Sequence, residues 1–171
     1  MLLSPIQVKN IIFLRISVIP NLDTAPSNTS EEFTFDGVAN SESIGIKLLE
    51  SGEESSVFAV KFRLQIENKT GKIAPYSIDL EVYGIFSINH KIAEEKREDM
   101  VMVNGCAILY SAIREQVMTL TSRCCNGPFI LPTVNFLDKI KKEPEAESPL
   151  APAKKTPRKQ KSVASQPLKK K

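Results

Sequence analysis

Apolar and polar residues alternate most cleanly over residues 56–67, where Phe58, Val60, Phe62, Leu64 and Ile66 oppose Ala59, Lys61, Arg63, Gln65 and Glu67. Period-two alternation of this length predicts a strand with one buried face. Three further stretches read the same way. Residues 6–19 set Ile12, Leu14, Ile16 and Val18 against Phe13, Arg15 and Ser17; residues 43–49 align Ile44, Ile46 and Leu48; residues 73–88 align Ile78, Leu80, Val82, Gly84 and Phe86. Short polar turns at 50–53 and 68–72 join the second, third and fourth strands, so hairpins and an antiparallel sheet are expected. Residues 22–40 instead form a long polar connection with Phe33 and Phe35 as its only aromatics. A connection of that length in a compact domain points to function or local disorder.

The period then changes. Asn104 is placed as the cap of a helix of about 20 residues, roughly 30 Å long, with Cys106, Leu109, Tyr110, Ile113, Val117 and Leu120 at helical spacing. Residues 90–99 are strongly charged and read as a solvated loop or helical turn ahead of it. Asn126, Gly127 and Pro128 stop the helix, and a short second helix is expected over 137–142. Ala107, Ile108, Ala112 and Met118 lie off the main stripe. Apolar residues on two sides call for two packing surfaces, so the helix should meet both its own sheet and another chain.

Composition changes this picture at one end only. The 171 residues are 42% hydrophobic and 25% charged, as in an ordinary soluble domain. Residues 141–171 carry ten lysines and arginines against three glutamates, a net charge of +7, which leaves −4 for residues 1–140. The division expected is a folded domain over 1–142 and a disordered, Pro- and Lys-rich basic tail over 143–171, too poor in apolar residues to offset its ordering entropy. The apolar start lacks a basic leader and a cleavage site, which is read as a strand of a cytoplasmic protein.

Catalytic chemistry finds little support. Three cysteines, two of them the adjacent Cys124 and Cys125, and a single histidine, His90, do not make a zinc set. Nor is there a phosphate-binding glycine loop. The chain is read as a non-enzyme without cofactor or metal. Nucleic acid or anionic lipid is a conceivable partner for the tail alone, and a less favoured one because no aromatic platform accompanies the charge.

Three ordered motifs carry a family resemblance: the strand exit Glu81-Val82-Tyr83-Gly84-Ile85-Phe86-Ser87-Ile88; the helix segment from Ile108-Leu109-Tyr110 through Arg114-Glu115 to Ser122-Arg123; and Leu131-Pro132-Thr133-Val134-Asn135-Phe136. Together they resemble the SecB family of export chaperones over residues 79–138. The resemblance implies an α+β fold, a four-stranded antiparallel sheet packed by one long C-terminal helix and a short second one. It also implies a homotetramer, a dimer of dimers, that holds unfolded or precursor polypeptides in apolar grooves without ATP. By position, the client groove falls to Phe33, Phe35, Ile44, Ile46, Leu48, Leu80 and Val82. Members that deliver clients to the SecA motor use acidic side chains on the sheet; here the first strand has Arg15 in that region, and Asp79 is the docking candidate that remains. Some SecB-like proteins instead guard an antitoxin, a second reading of the same resemblance.

Overall fold

The structure, a computed structural model, describes residues 2–23 and 33–140. Four strands, β1 (Ile6–Pro20), β2 (Val38–Ser51), β3 (Ser55–Gly71) and β4 (Tyr76–Asn89), precede helix α1 (Glu94–Thr121) and a single 3-10 turn at Leu137–Lys139. All pairings are antiparallel, in the spatial order β1-β4-β3-β2. The hairpins β2–β3 and β3–β4 are thus as expected, and the first strand comes to lie beside the last. The expected disorder of 143–171 lies outside the described residues. None of the described helices is long and apolar enough to cross a membrane.

Register sorts the side chains onto two faces, because residues directly opposite each other share a face. On the core face Phe58, Val60, Phe62, Leu64 and Ile66 of β3 stand opposite Phe86, Gly84, Val82, Leu80 and Ile78 of β4. Helix α1 lies over these two central rows and buries Val101, Cys106, Leu109, Tyr110, Ile113 and Val117 against them. A helix with its side chains is about 10 Å wide, whereas the outermost of four strands are about 14 Å apart. One helix cannot cover them all. The central rows are accordingly sealed, while the core-face residues of the edge strands, Ile11, Phe13 and Val18 on β1 and Ile44 and Ile46 on β2, are only half-buried.

Two elements differ from expectation. In β1 the register slips between Phe13 and Arg15, leaving Leu14 as an extra residue. A bulge reverses the parity of the residues beyond it, so Phe13 joins Ile16 and Val18 on the core face and Ile12 joins Arg15 and Ser17 outside. Helix α1 also begins ten residues before Asn104. Glu94 and Glu95 occupy its first turn, where negative charge is favoured by the helix dipole. Arg97 donates to the carbonyls of Ile92 (2.8 Å) and His90 (3.4 Å), which fastens the chain entering the helix. Asn104 is therefore no cap; its side-chain amide donates to the Met100 carbonyl, 2.9 Å away, inside the helix. At 28 residues α1 is about 42 Å long.

Beyond Thr121 the chain turns back along the helix and is strapped to it. Thr121 Oγ1 accepts from Phe129 N (2.8 Å), Arg114 Nε donates to Leu131 O (2.9 Å), and Tyr110 OH donates to Pro132 O (2.7 Å). This segment carries Phe129, Leu131 and Phe136 into the core. Leu120, expected in the buried stripe, is 40% exposed instead: in the last turn the strap covers the Thr121 side of the helix.

Helix and sheet come close together at Gly84, where an added Cβ would lie 2.5 Å from Phe86 Cε2 of the same strand and 2.8 Å from Leu109 Cδ2 of the helix. Gly45, on the outer face of β2, has nothing within 4 Å of that position. Gly84→Val should therefore lower unfolding stability by about 2 kcal/mol through overpacking, with Gly45→Val neutral or slightly stabilising; urea titration of both variants reads the contrast.

Candidate functional site

Seven aromatic rings gather on the core side of the sheet, and five of them, Phe62, Tyr76, Tyr110, Phe129 and Phe136, are buried. Phe62, Tyr110 and Phe136 form a triangle of edge-to-face rings with centroids 5.6–6.1 Å apart. A second chain of rings runs from Phe35 through Phe33 to Phe129 and Tyr76, with spacings of 5.6, 4.6 and 5.5 Å. All of these but the tilted Phe129–Tyr76 pair are edge contacts, which suit the ring quadrupole. Between the two sets lies a cavity of about 260 Å³, lined by Phe35, Phe62, Tyr110 and Phe136 and rimmed by Asn40 and Glu42 of β2. Lys139 closes one side of the rim through an ion pair with Glu42. Burial pushes the Tyr110 hydroxyl up to about 12, so it stays a neutral donor to Pro132 at every ordinary pH.

The groove residues named from the sequence separate into three groups. Phe35 lines the cavity and Phe33 stands behind it. Ile44 and Ile46 are half-buried along the core face of β2, and Leu48 is exposed further along that strand. Leu80 and Val82, however, are fully buried (0% exposed). They lie in the central row beneath α1, where no open groove reaches them, and the expectation for these two is corrected. Phe62, Tyr110 and Phe136 are cavity residues that the sequence does not mark as such. Phe62 could have been found as the β3 neighbour of Ile44.

Cys106 and His90 are engaged in packing and hydrogen bonding within the fold. Cys106 is buried within α1, and that burial pushes its thiol up to about 12, far from a reactive thiolate. His90 pairs with Ser56 Oγ at 2.9 Å and the Glu53 carbonyl at 3.0 Å, which ties the β2–β3 turn and the start of β3 to the end of β4.

Against this geometry stand the comparisons with known proteins. A family model described as "Preprotein translocase subunit SecB" matches residues 28–145. The chain belongs to the SecB family. Among curated SecB proteins, the protein-export protein SecB of Anaplasma phagocytophilum (strain HZ) is 25% identical over 121 residues, 68% of this chain and 76% of that one. That of Anaplasma marginale (strain Florida) is 22% identical over 112 residues, and this chain spans 63% of its length. Two solved structures are similar as well. A protein of unknown function from Streptococcus agalactiae gives a TM-score of 0.51 at 12% identity, covering 75% of this chain and 97% of that one. The Mycobacterium tuberculosis Rv1957 SecB-like chaperone, solved with a ChAD peptide from the Rv1956 HigA1 antitoxin, gives 0.46 at 19% identity, covering 76% and 90%.

On the other face of this SecB sheet, charge replaces aromatic surface. Arg63 grips Asp79 with two hydrogen bonds (2.8 and 2.9 Å), Arg15 reaches the same carboxylate at 3.3 Å, and Lys61 pairs with Glu81 at 2.7 Å. The Arg63 hydrogen bonds and then the charges of Arg63 and Arg15 hold the Asp79 carboxyl below the usual carboxylate range. The Lys61 hydrogen bond lowers Glu81 in the same way. Asp79, the docking candidate, is therefore a carboxylate already engaged by two arginines of its own sheet.

A folded-state carboxyl held low stabilises the protein above its unfolded value of about 3.9 and loses that contribution as pH falls through the folded value. Asp79→Asn should thus cost up to about 1 kcal/mol near neutrality, with the gap to wild type closing between about pH 5 and pH 2. Urea midpoints across that range check it, and a gap unchanged at pH 2 contradicts the ion-pair account.

Proposed function

We propose that this SecB-family protein is an ATP-independent chaperone that holds unfolded or pre-export polypeptides at the aromatic cavity and the adjoining core face of β2. The observation that carries the reading is an aromatic-lined cavity and, further along the core face of the same strand, the half-buried Ile44 and Ile46 and the exposed Leu48. Apolar surface of this kind attracts in proportion to the area removed from water, about 25 cal/mol per Å², and places few demands on sequence. An unfolded chain supplies such area and a folded client does not. The name borne by the curated relatives, protein-export protein SecB, supports export as the setting. Docking of a motor protein through Asp79 forms no part of the proposal, since that carboxylate is engaged by Arg63 and Arg15.

Assembly belongs to the same proposal. Leu14, Ile16 and Ile19 on β1 and Met118 and Leu120 on α1 are exposed aliphatic residues, and further copies of the chain, up to a dimer of dimers, are what buries them. Light scattering should give a mass near four chains; a stable monomer contradicts the assembly.

Holding is tested by dilution of a chemically unfolded protein. The full chain should suppress its aggregation without nucleotide, a form lacking residues 143–171 should do nearly as well, and Ile46→Asp, at a half-exposed position, should remove most of the effect while the far-UV spectrum is unchanged. Suppression that depends on the tail, or that survives Ile46→Asp undiminished, places the function elsewhere.

A further inference from the structure

We propose that the half of the outer sheet face nearest the β2–β3 turn docks an acidic segment of another protein, one whose carboxylates are interleaved with apolar side chains. The surface lies on the opposite side of the sheet from the client cavity, and its use does not depend on the holding function proposed above.

Two adjacent cross-strand rows make the surface. One joins Ile12, Tyr83, Lys61 and Gly45; the next joins Ile85 to Lys47 through Ala59. With strands about 4.8 Å apart and the rows two residues apart, they span about 14 Å by 7 Å. Ile12 is 41% exposed, Tyr83 and Ile85 are half-buried, and both lysines are exposed. Gly45 contributes no side chain, and nothing lies within 4 Å of where its Cβ would be, so the floor beside the lysines is open. The ionic ladder of Arg15, Asp79, Arg63 and Glu81 begins only in the rows beyond.

Neither row contains an acid, and their charged groups are all donors. Lys47 Nζ and the Tyr83 hydroxyl have no polar partner among the described residues, and Lys61, paired with Glu81 at 2.7 Å, keeps two of its three ammonium donors. Free donors beside apolar side chains fit a ligand that presents carboxylates and apolar groups together. A basic segment meets like charge here. That is the reverse of the acidic sheet surface which the family resemblance implies for delivery to SecA. A second copy fits poorly, because a two-fold contact between identical patches sets lysine against lysine. So does an anionic bilayer: Asp79, Glu81 and Glu50 offset most of the cations of this face, leaving little attraction within a Debye length of about 10 Å.

The probes are two synthetic peptides with leucines at the same positions, the remaining positions filled by glutamate in one and by lysine in the other. In isoleucine methyl NMR titrations of the full-length protein at about 50 mM salt, the glutamate peptide should shift Ile12 and Ile85, and the lysine peptide should leave both in place. Lys47→Glu should weaken the glutamate peptide about tenfold, a difference that shrinks as salt is raised to about 500 mM. Lys72→Glu, the same charge reversal at an exposed position outside the two rows, should leave the affinity unchanged. Equal shifts of Ile12 and Ile85 by both peptides, glutamate-peptide shifts confined to Ile44 and Ile46, or an affinity indifferent to Lys47→Glu overturns the proposal. A lower light-scattering mass for Lys47→Glu gives the surface to a second copy and overturns it too. So does Lys47-dependent binding of phosphatidylglycerol vesicles by a protein whose Ile12 and Ile85 the glutamate peptide leaves unshifted, which makes the surface a lipid site.

Discussion

A single helix spread over four strands is the constraint on which the rest of this structure depends. Because α1 covers little more than the rows of β3 and β4, those rows become a sealed core in which Leu80, Val82, Phe86 and Ile113 are all fully buried. The glycine at position 84 allows the contact: it leaves room for the Leu109 side chain and the Phe86 ring where helix and strand converge. The edge strands receive what cover remains. On the β2 side that cover is the returning segment from Phe129 to Phe136, strapped by Thr121, Arg114 and Tyr110. It fills most of the gap and leaves an aromatic cavity where it does not.

The two faces of the sheet then offer different physics. Toward the helix the available interaction is apolar and non-directional, growing with area. On the outer face Arg15, Asp79, Arg63, Glu81 and Lys61 satisfy one another across three strands. A carboxylate held by two guanidinium groups has little capacity left for a third cationic partner. A half-covered apolar edge on the core side and a self-contained ionic ladder on the outer side are thus consequences of where the period-two pattern places apolar and charged residues, and of which face the helix covers.

Much of this is legible in the sequence. The alternation of Phe58 to Ile66 and of Ile78 to Phe86 identifies the central strands because both rows are sealed on one face, and burial is what period two reports. At the edges the pattern is weaker. In β1 apolar residues occur on both faces, so nothing local marks Leu14 as a bulge or moves Phe13 inward. The first turns of α1 escape the pattern because residues 94–99 are all charged and none of them is buried, so they carry no apolar stripe; Glu94 and Glu95 at the helix start are the available sign. The site is legible only in part, for a similar reason. Phe35, Ile44 and Ile46 can be named from one element each, but the cavity depends on Phe62, Tyr110 and Phe136 meeting from a strand, a helix and the returning segment, and such convergence is set by tertiary packing. Period two marks Leu80 and Val82 as apolar and one-sided, without saying whether a helix or a groove lies above them.

The central claim is that unfolded polypeptide binds on the core side of the sheet, at the β2 edge and aromatic cavity. Isoleucine methyl NMR tests it directly, because isoleucines mark both faces: Ile44 and Ile46 on the core side of β2, Ile12 and Ile85 on the outer face. Titration with an unfolded client should shift or broaden the Ile44 and Ile46 methyls and leave those of Ile12 and Ile85 in place. Changes confined to Ile12 and Ile85 would contradict the account and move the client to the charged face.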